Sequence, residues 1–280
     1  MTDSRTIRGW QLHHHEQLNL RASSGAPMIR VKFYHYPPYR QTVHIDQPPT
    51  GCKLKTKGNN TFYVFQHKVH TKEIISFDRI MTILPTVSSL SLTENWGSIS
   101  DIPLLLQRKY KQSFTYWPTT SDTIHIIAQE RWFATDDLAA WVLAASRYVA
   151  TTIKYPENQE KRLGADSAIR TGIGDCDEYT DLFITLARLR GIPCRRLTGY
   201  HITTEPLDVE PHAWGELFSP LRGWTPIDLA MHNIGSHTIS YVIQKIEEFN
   251  PSLLDYHVQT QSAGLHYRWE QPLPDVTPLF

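Results

Sequence analysis

Residues 174–191 read GDCDEYTDLFITLARLRG, and this stretch constrains the rest of the chain more than any other. Leu182, Phe183, Leu186 and Leu189 recur at three- and four-residue spacing, which predicts a helix with one apolar face. Asp175 stands at the N-cap with Glu178 three residues on, an aspartate version of the capping box. Gly191 supplies the stop and Pro193 bars continuation. A helix specified at both ends must bury its apolar face against a second layer. It also puts Cys176 at the first helical position, where unpaired backbone N–H groups and the helix dipole favour a thiolate. Asp177 and Glu178 oppose that effect, because nearby negative charge raises a thiol pKa. From this segment alone Cys176 is a buried structural thiol, a metal ligand or a nucleophile that needs a base.

The second layer is written on both sides of the helix. Before it, residues 28–36, 39–47, 52–56, 60–70 and 73–84 carry β-branched and aromatic residues in partial alternation, separated by PP, QPP, TG and KGNN. These predict a meander of short strands. Residues 85–118 break the pattern and read as a connector. A helix capped by Thr135 or Asp136 follows, with Leu138, Trp141, Val142, Ala145 and Val149 on one face. After Gly191 come three predicted strands, CRRLTGYHIT, HAWGELFS and GWTPIDL. The expected class is α+β, with a β-rich domain over 1–118 and a core over 119–280. Residues 1–27 and 235–280 receive no assignment.

Composition narrows the partners. Lys plus Arg and Asp plus Glu are both 28, so the chain is neutral overall, which argues against nucleic acid as the main partner. No run approaches the ~20 apolar residues of a membrane-spanning helix. The polar start MTDSRTIRGWQLHHHEQ has no signal-like apolar core, so a cytoplasmic location is expected. The three cysteines form no CxxC pair, which leaves no thiolate metal site, and there is no DxDxDG calcium loop. No cofactor or metal is expected. The run His13–His14–His15 has no cysteine near it in sequence and reads as a solvated tract.

The base is sought downstream. His212 opens HAWGELFS and Asp228 closes GWTPID, and two antiparallel strands joined by a short loop can set a histidine beside a carboxylate. Cys176, His212 and Asp228 would then make a nucleophilic system in which imidazole takes the thiol proton and the carboxylate fixes its tautomer. GxGDCDE, RLRGIPCRRLTGY, HAWGELFSPLRGWTPID and their order resemble the transglutaminase-like superfamily. The strands ending in KGNNTFYVFQ and EIISFDRIMTI are similar to the β-rich N-terminal domain of its bacterial members.

That resemblance implies a papain-like transglutaminase core behind a β-sandwich-like N-terminal domain. It implies Cys176 as nucleophile, His212 as general base and acid, and Asp228 as the group orienting His212. The activity implied is acyl transfer through a thioester, with hydrolysis of a peptide or amide bond preferred. Amine-accepting transglutaminase or amide-synthase chemistry on glutamine or a carrier-bound thioester is the alternative, and a non-catalytic interaction protein is the third. The substrate would be a peptide, a protein or an acyl carrier. One oxyanion donor should be the Cys176 backbone N–H, with Trp141 weighed as a second and read mainly as core. Cys52 and Cys194 read as structural thiols, His201, His232 and His237 as residues without a chemical role. Asn59 reads as an ordinary turn residue, and Arg195 and Arg196 as surface or partner-pairing residues.

Overall fold

Alternation along the first half resolves into antiparallel strands in the computed structural model, which describes residues 6–23, 25–129, 134–156, 161–249 and 255–280. They are β1 (Gly9–Ala22), β2 (Met28–His35), β3 (Gln41–Gln47), β4 (Lys53–Lys57), β5 (Asn60–Lys68) and β6 (Lys72–Pro85). β2 to β6 coincide within two residues with the runs predicted from sequence. β1 is additional. Its inward face alternates Trp10, Leu12, His14, Glu16, Leu18 and Leu20, all buried. Each of the two polar members has one buried partner: His14 Nε2 bonds Tyr36 Oη at 2.7 Å, and Arg79 Nη2 donates to Glu16 Oε1 at 2.7 Å. The histidine run is therefore a piece of strand and not a solvated tract. His14 faces inward, and His13 and His15 face outward.

Three later strands return to this region: β12 (Tyr256–Thr260), β13 (Leu265–Glu270) and β14 (Asp275–Leu279). One sheet runs β13-β1-β6-β3, with β14 also paired to β1; the other runs β12-β2-β5-β4. Phe33, Tyr63, Phe77, Leu18, Val31 and Trp269 fill the space between them.

The segment expected to be a plain connector holds a 3₁₀ turn (Ile99–Asp101) and α1 (Leu104–Tyr110). Then come α2 (Asp122–Ala128), α3 (Leu138–Thr152), α4 (Ala165–Thr171) and α5 (Cys176–Arg190). The α3 cap is Asp137, whose carboxylate accepts from Ala140 N–H at 2.9 Å. Asp136, the expected cap, instead accepts from the Ser100 backbone and hydroxyl. α5 begins and ends where the sequence places it, with Gly191 left-handed at φ 88°.

A third sheet, order β10-β9-β8-β7-β11, carries β7 (Cys194–Thr204), β8 (Leu207–Ser219), β9 (Gly223–Asp228), β10 (Asn233–Ile234) and β11 (Tyr241–Glu247). α5 lies between it and α3, burying Leu182, Phe183 and Leu186 against Trp141, Ala145, Leu217 and Ile227. Trp10, Leu12 and Met81 of the first sheet pack on Tyr200, Ile202 and Val242 of this one. The fold is mixed and strand-rich. Among the described residues no helix is long and apolar enough to cross a membrane.

Candidate active site

The head of α5 is built from side chains that serve the backbone. Asp175 accepts from Asp177 N–H at 2.8 Å, and the buried Glu178 accepts from Asp175 N–H at 3.3 Å. The other Glu178 oxygen accepts from the N–H groups of Leu163 and Gly164, at 2.6 and 3.1 Å. Glu178 is thus spent on holding the preceding loop to the helix. Asp177 pairs with the buried Arg196 on β7, which also reaches Glu247 on β11 at 2.6 Å. Arg195 pairs with Glu216 at 2.9 Å and with Glu248 at 3.0 Å. The two arginines are buried ion-pair partners, which corrects the surface reading.

Cys176 is docked onto β8. β9 pairs with β8 only over Gly215–Ser219, which leaves Ala213 with no β9 partner. The Ala213 N–H favours the thiolate form of Cys176, and the Ala213 carbonyl accepts from the Thr180 hydroxyl at 3.2 Å. His212, the residue before Ala213, is buried and points its Nε2 at Asp228 Oδ2, 2.7 Å away. Asp228 also accepts from the Tyr241 hydroxyl at 2.7 Å and from Met231 N–H at 3.1 Å. A carboxylate only accepts, so this bond holds the imidazole proton on Nε2 and leaves Nδ1 as the acceptor. The ring lies parallel to Trp214, with centroids 5.8 Å apart. On β7 its cross-strand partner is Gly199, where a Cβ would collide with the Val242 carbonyl. The absent side chain lets β11 approach and bring Tyr241 to Asp228.

Burial first, then Asp177 and Asp175, raise the Cys176 pKa well above the ordinary thiol range; Ala213 N–H and Arg196 pull the other way. Asp175 itself is pushed up to about 6, chiefly by burial and then by Asp177 and Glu178. Cys176 and His212 open onto one cleft of about 820 Å³, bounded by Arg162, Arg196, Tyr200 and Lys245 and, on its far wall, by Gln271 to Leu273.

The three residues singled out in the sequence, Cys176, His212 and Asp228, are brought together. Trp141 is not part of the cleft: it is fully buried on α3 against Phe183. Cys194 is buried and Cys52 half-buried, and neither lines the cleft. His201, which sequence reasoning set aside, lies 5.7 Å from the His212 ring. Two tyrosines were missed. Tyr241 could have been found, since SYVIQKIEE alternates as a strand. Tyr155, whose hydroxyl titrates higher because of burial and then the nearby Cys176 and Asp175, carries no local signal.

Residues 127–229 match the family model of the transglutaminase-like superfamily, and with the four ordered motifs this stretch is a transglutaminase-like core. No curated protein matches the chain. Among solved structures it is similar to a candidate cysteine protease from Cytophaga hutchinsonii, at 14% identity and a TM-score of 0.57, over 97% of this chain and 94% of that one. It is also similar to the periplasmic domain of TgpA from Pseudomonas aeruginosa, at 14% identity and a TM-score of 0.41, over 80% and 90% of the two chains. At such identities the likeness to the first is one of fold.

Proposed function

We propose that the protein is a cysteine-dependent acyl-transfer enzyme that forms a thioester on Cys176 and most readily hydrolyses a peptide or amide bond. The observation that carries this is that Cys176 and His212 line one cleft, with His212 bonded to Asp228 and Asp228 to the Tyr241 hydroxyl. In this reading the core is papain-like and stands behind a β-sandwich-like N-terminal domain.

Burial and the flanking carboxylates favour the neutral thiol of Cys176. In this reading proton removal by His212 Nδ1 accompanies attack of the Cys176 sulfur on the carbonyl carbon. The sulfur–carbon bond forms, the carbonyl oxygen takes the negative charge, and the proton passes from His212 to the leaving amine. Water activated by the same nitrogen then releases the acid. Asp228 keeps the tautomer and stabilises the imidazolium, and Tyr241 keeps Asp228 aimed. The Cys176 N–H is the natural oxyanion donor.

The substrate is a peptide, a protein or a carrier-bound acyl group. Incubation of the protein with mixed peptides and amines, read by mass spectrometry, tests the proposal. A thioester adduct confined to Cys176 and turned over to acid is expected. Release as an amine conjugate would move the assignment to transglutaminase or amide-synthase chemistry. Failure of a thiol-reactive probe to label Cys176 at neutral pH would overturn the enzyme reading altogether.

A further inference from the structure

We propose that His13, His15 and Asp275 hold a divalent first-row metal ion, zinc above all, with Asp78 as the outer carboxylate that orients His15. His13 and His15 stand two apart on β1 and therefore on one face. Asp275, the first residue of β14, is the cross-strand partner of His13, and Asp78 on β6 is the partner of His15. Three strands thus converge four metal-seeking side chains, two from β1 and the others 63 and 260 positions beyond His15 in sequence.

One ligand atom from each of His13, His15 and Asp275 lies within 4.8 Å of the others. His15 Nε2 and Asp275 Oδ2 are 3.3 Å apart, long for a charge-assisted hydrogen bond. A tetrahedral ion with bonds of about 2.0–2.1 Å needs neighbouring ligands about 3.3–3.4 Å apart. His15 Nδ1 bonds Asp78 Oδ1 at 2.9 Å, the outer contact that metal-binding histidines make through their second nitrogen. Two imidazoles and one carboxylate suit zinc and its neighbours rather than calcium or magnesium. His13 is half-buried and His15 and Asp275 are exposed, which leaves the fourth position to water. An ion here would also fix the start of β14, two residues after Leu273 on the wall of the cleft.

The test uses the full chain carrying Cys176→Ala, so that the thiol and its flanking aspartates do not compete. Cobalt(II) absorption and zinc titration should show one ion per chain. His15→Gln and Asp275→Asn should each weaken zinc binding at least tenfold, and Asp78→Asn about tenfold, as outer-sphere losses do. Metal-free melting of these variants should match the parent, and zinc should raise the melting temperature of the parent alone. Absence of binding at micromolar zinc would overturn the proposal. So would binding lost in His13→Gln and His15→Gln but unchanged in Asp275→Asn and Asp78→Asn, which would mean adjacent imidazoles act without the built site.

Discussion

The two halves of the molecule keep their shape by different means. Between the sheets that hold β1 and β2, an aromatic cluster of Phe33, Phe77 and Trp269 does the work, through area removed from water. Around the cleft the fixtures are buried charges: Arg196 with Asp177 and Glu247, Arg162 with Asp181, Arg195 with Glu216. Packing tolerates a range of similar shapes, whereas a buried ion pair is satisfied in one geometry only. Where a side chain must point within a fraction of an ångström, the chain accepts the costlier device.

Breaking the orienting carboxylate should show the largest effect. Asp228→Asn should keep the fold, because an amide still fits among Tyr241, Met231 and His212, yet lower turnover by about 10²- to 10⁴-fold through loss of tautomer control. Circular dichroism beside single-turnover rates would check it, and unchanged turnover would mean that another group orients His212. Next in size are two truncations that set the regions against each other. Phe77→Ala should cost about 3–5 kcal/mol of unfolding free energy through the cavity left behind. Arg196→Ala should also destabilise, by leaving the half-buried Asp177 without its cation, while Glu247 keeps Lys245 and Arg162. They part company in the labelling rate of Cys176 measured on the folded fraction. Phe77→Ala should leave that rate unchanged and Arg196→Ala should lower it, since the cation pulling the thiol pKa down is gone.

A pH series sharpens the comparison further. Burial pushes the pKa values of His14, His35 and His237 down to about 2, 3 and 4. Below the ordinary histidine value the unfolded chain takes up protons that the native state refuses. Stability is therefore full above about pH 6.5 and falls as pH drops below it, by about 1.4 kcal/mol per pH unit for each such group. Denaturant titrations at pH 7 and pH 5 should show the loss, reduced by about 2 kcal/mol in His35→Gln. The smallest effect concerns the cap. Asp175→Asn keeps a good N-cap and removes a charge beside the thiol. At pH 7 Cys176 should label about three- to tenfold faster; below pH 5, where Asp175 is protonated, the difference should vanish.

How much of this was written in the sequence follows the same division. The strands over 28–85 and 194–228 alternate cleanly, and α5 carries both its start and its stop, so they were legible. β1 was not, because His14 and Glu16 occupy inward positions and interrupt the apolar alternation; only their distant partners Tyr36 and Arg79 make them acceptable there. β12 to β14 were hidden for a related reason. Their apolar residues, Tyr256, Val258, Leu265 and Trp269, are too few to define a strand until the earlier sheets are present to receive them. At the site, Cys176, His212 and Asp228 stood out through ordered motifs. The groups that tune them did not. Asp177 looked like an obstacle to a thiolate, and nothing local shows that Arg196, nineteen positions on, answers its charge.

The place of β1 between β6 and the late strands β13 and β14 also bears on how the chain is made. Gly9 pairs with Leu279 and Ala22 with Leu265. During synthesis one edge of β1 stays open until more than 240 further residues have been joined. For most of that time the hydrophobic meander beneath it has an unprotected rim, a template for pairing with other chains. The outward residues of that rim are His13, His15, Gln17 and Arg21, polar throughout, which keeps the waiting strand hydrated. Closure late in translation, not collapse of the first half, is then the step at which this protein is most exposed to misassembly.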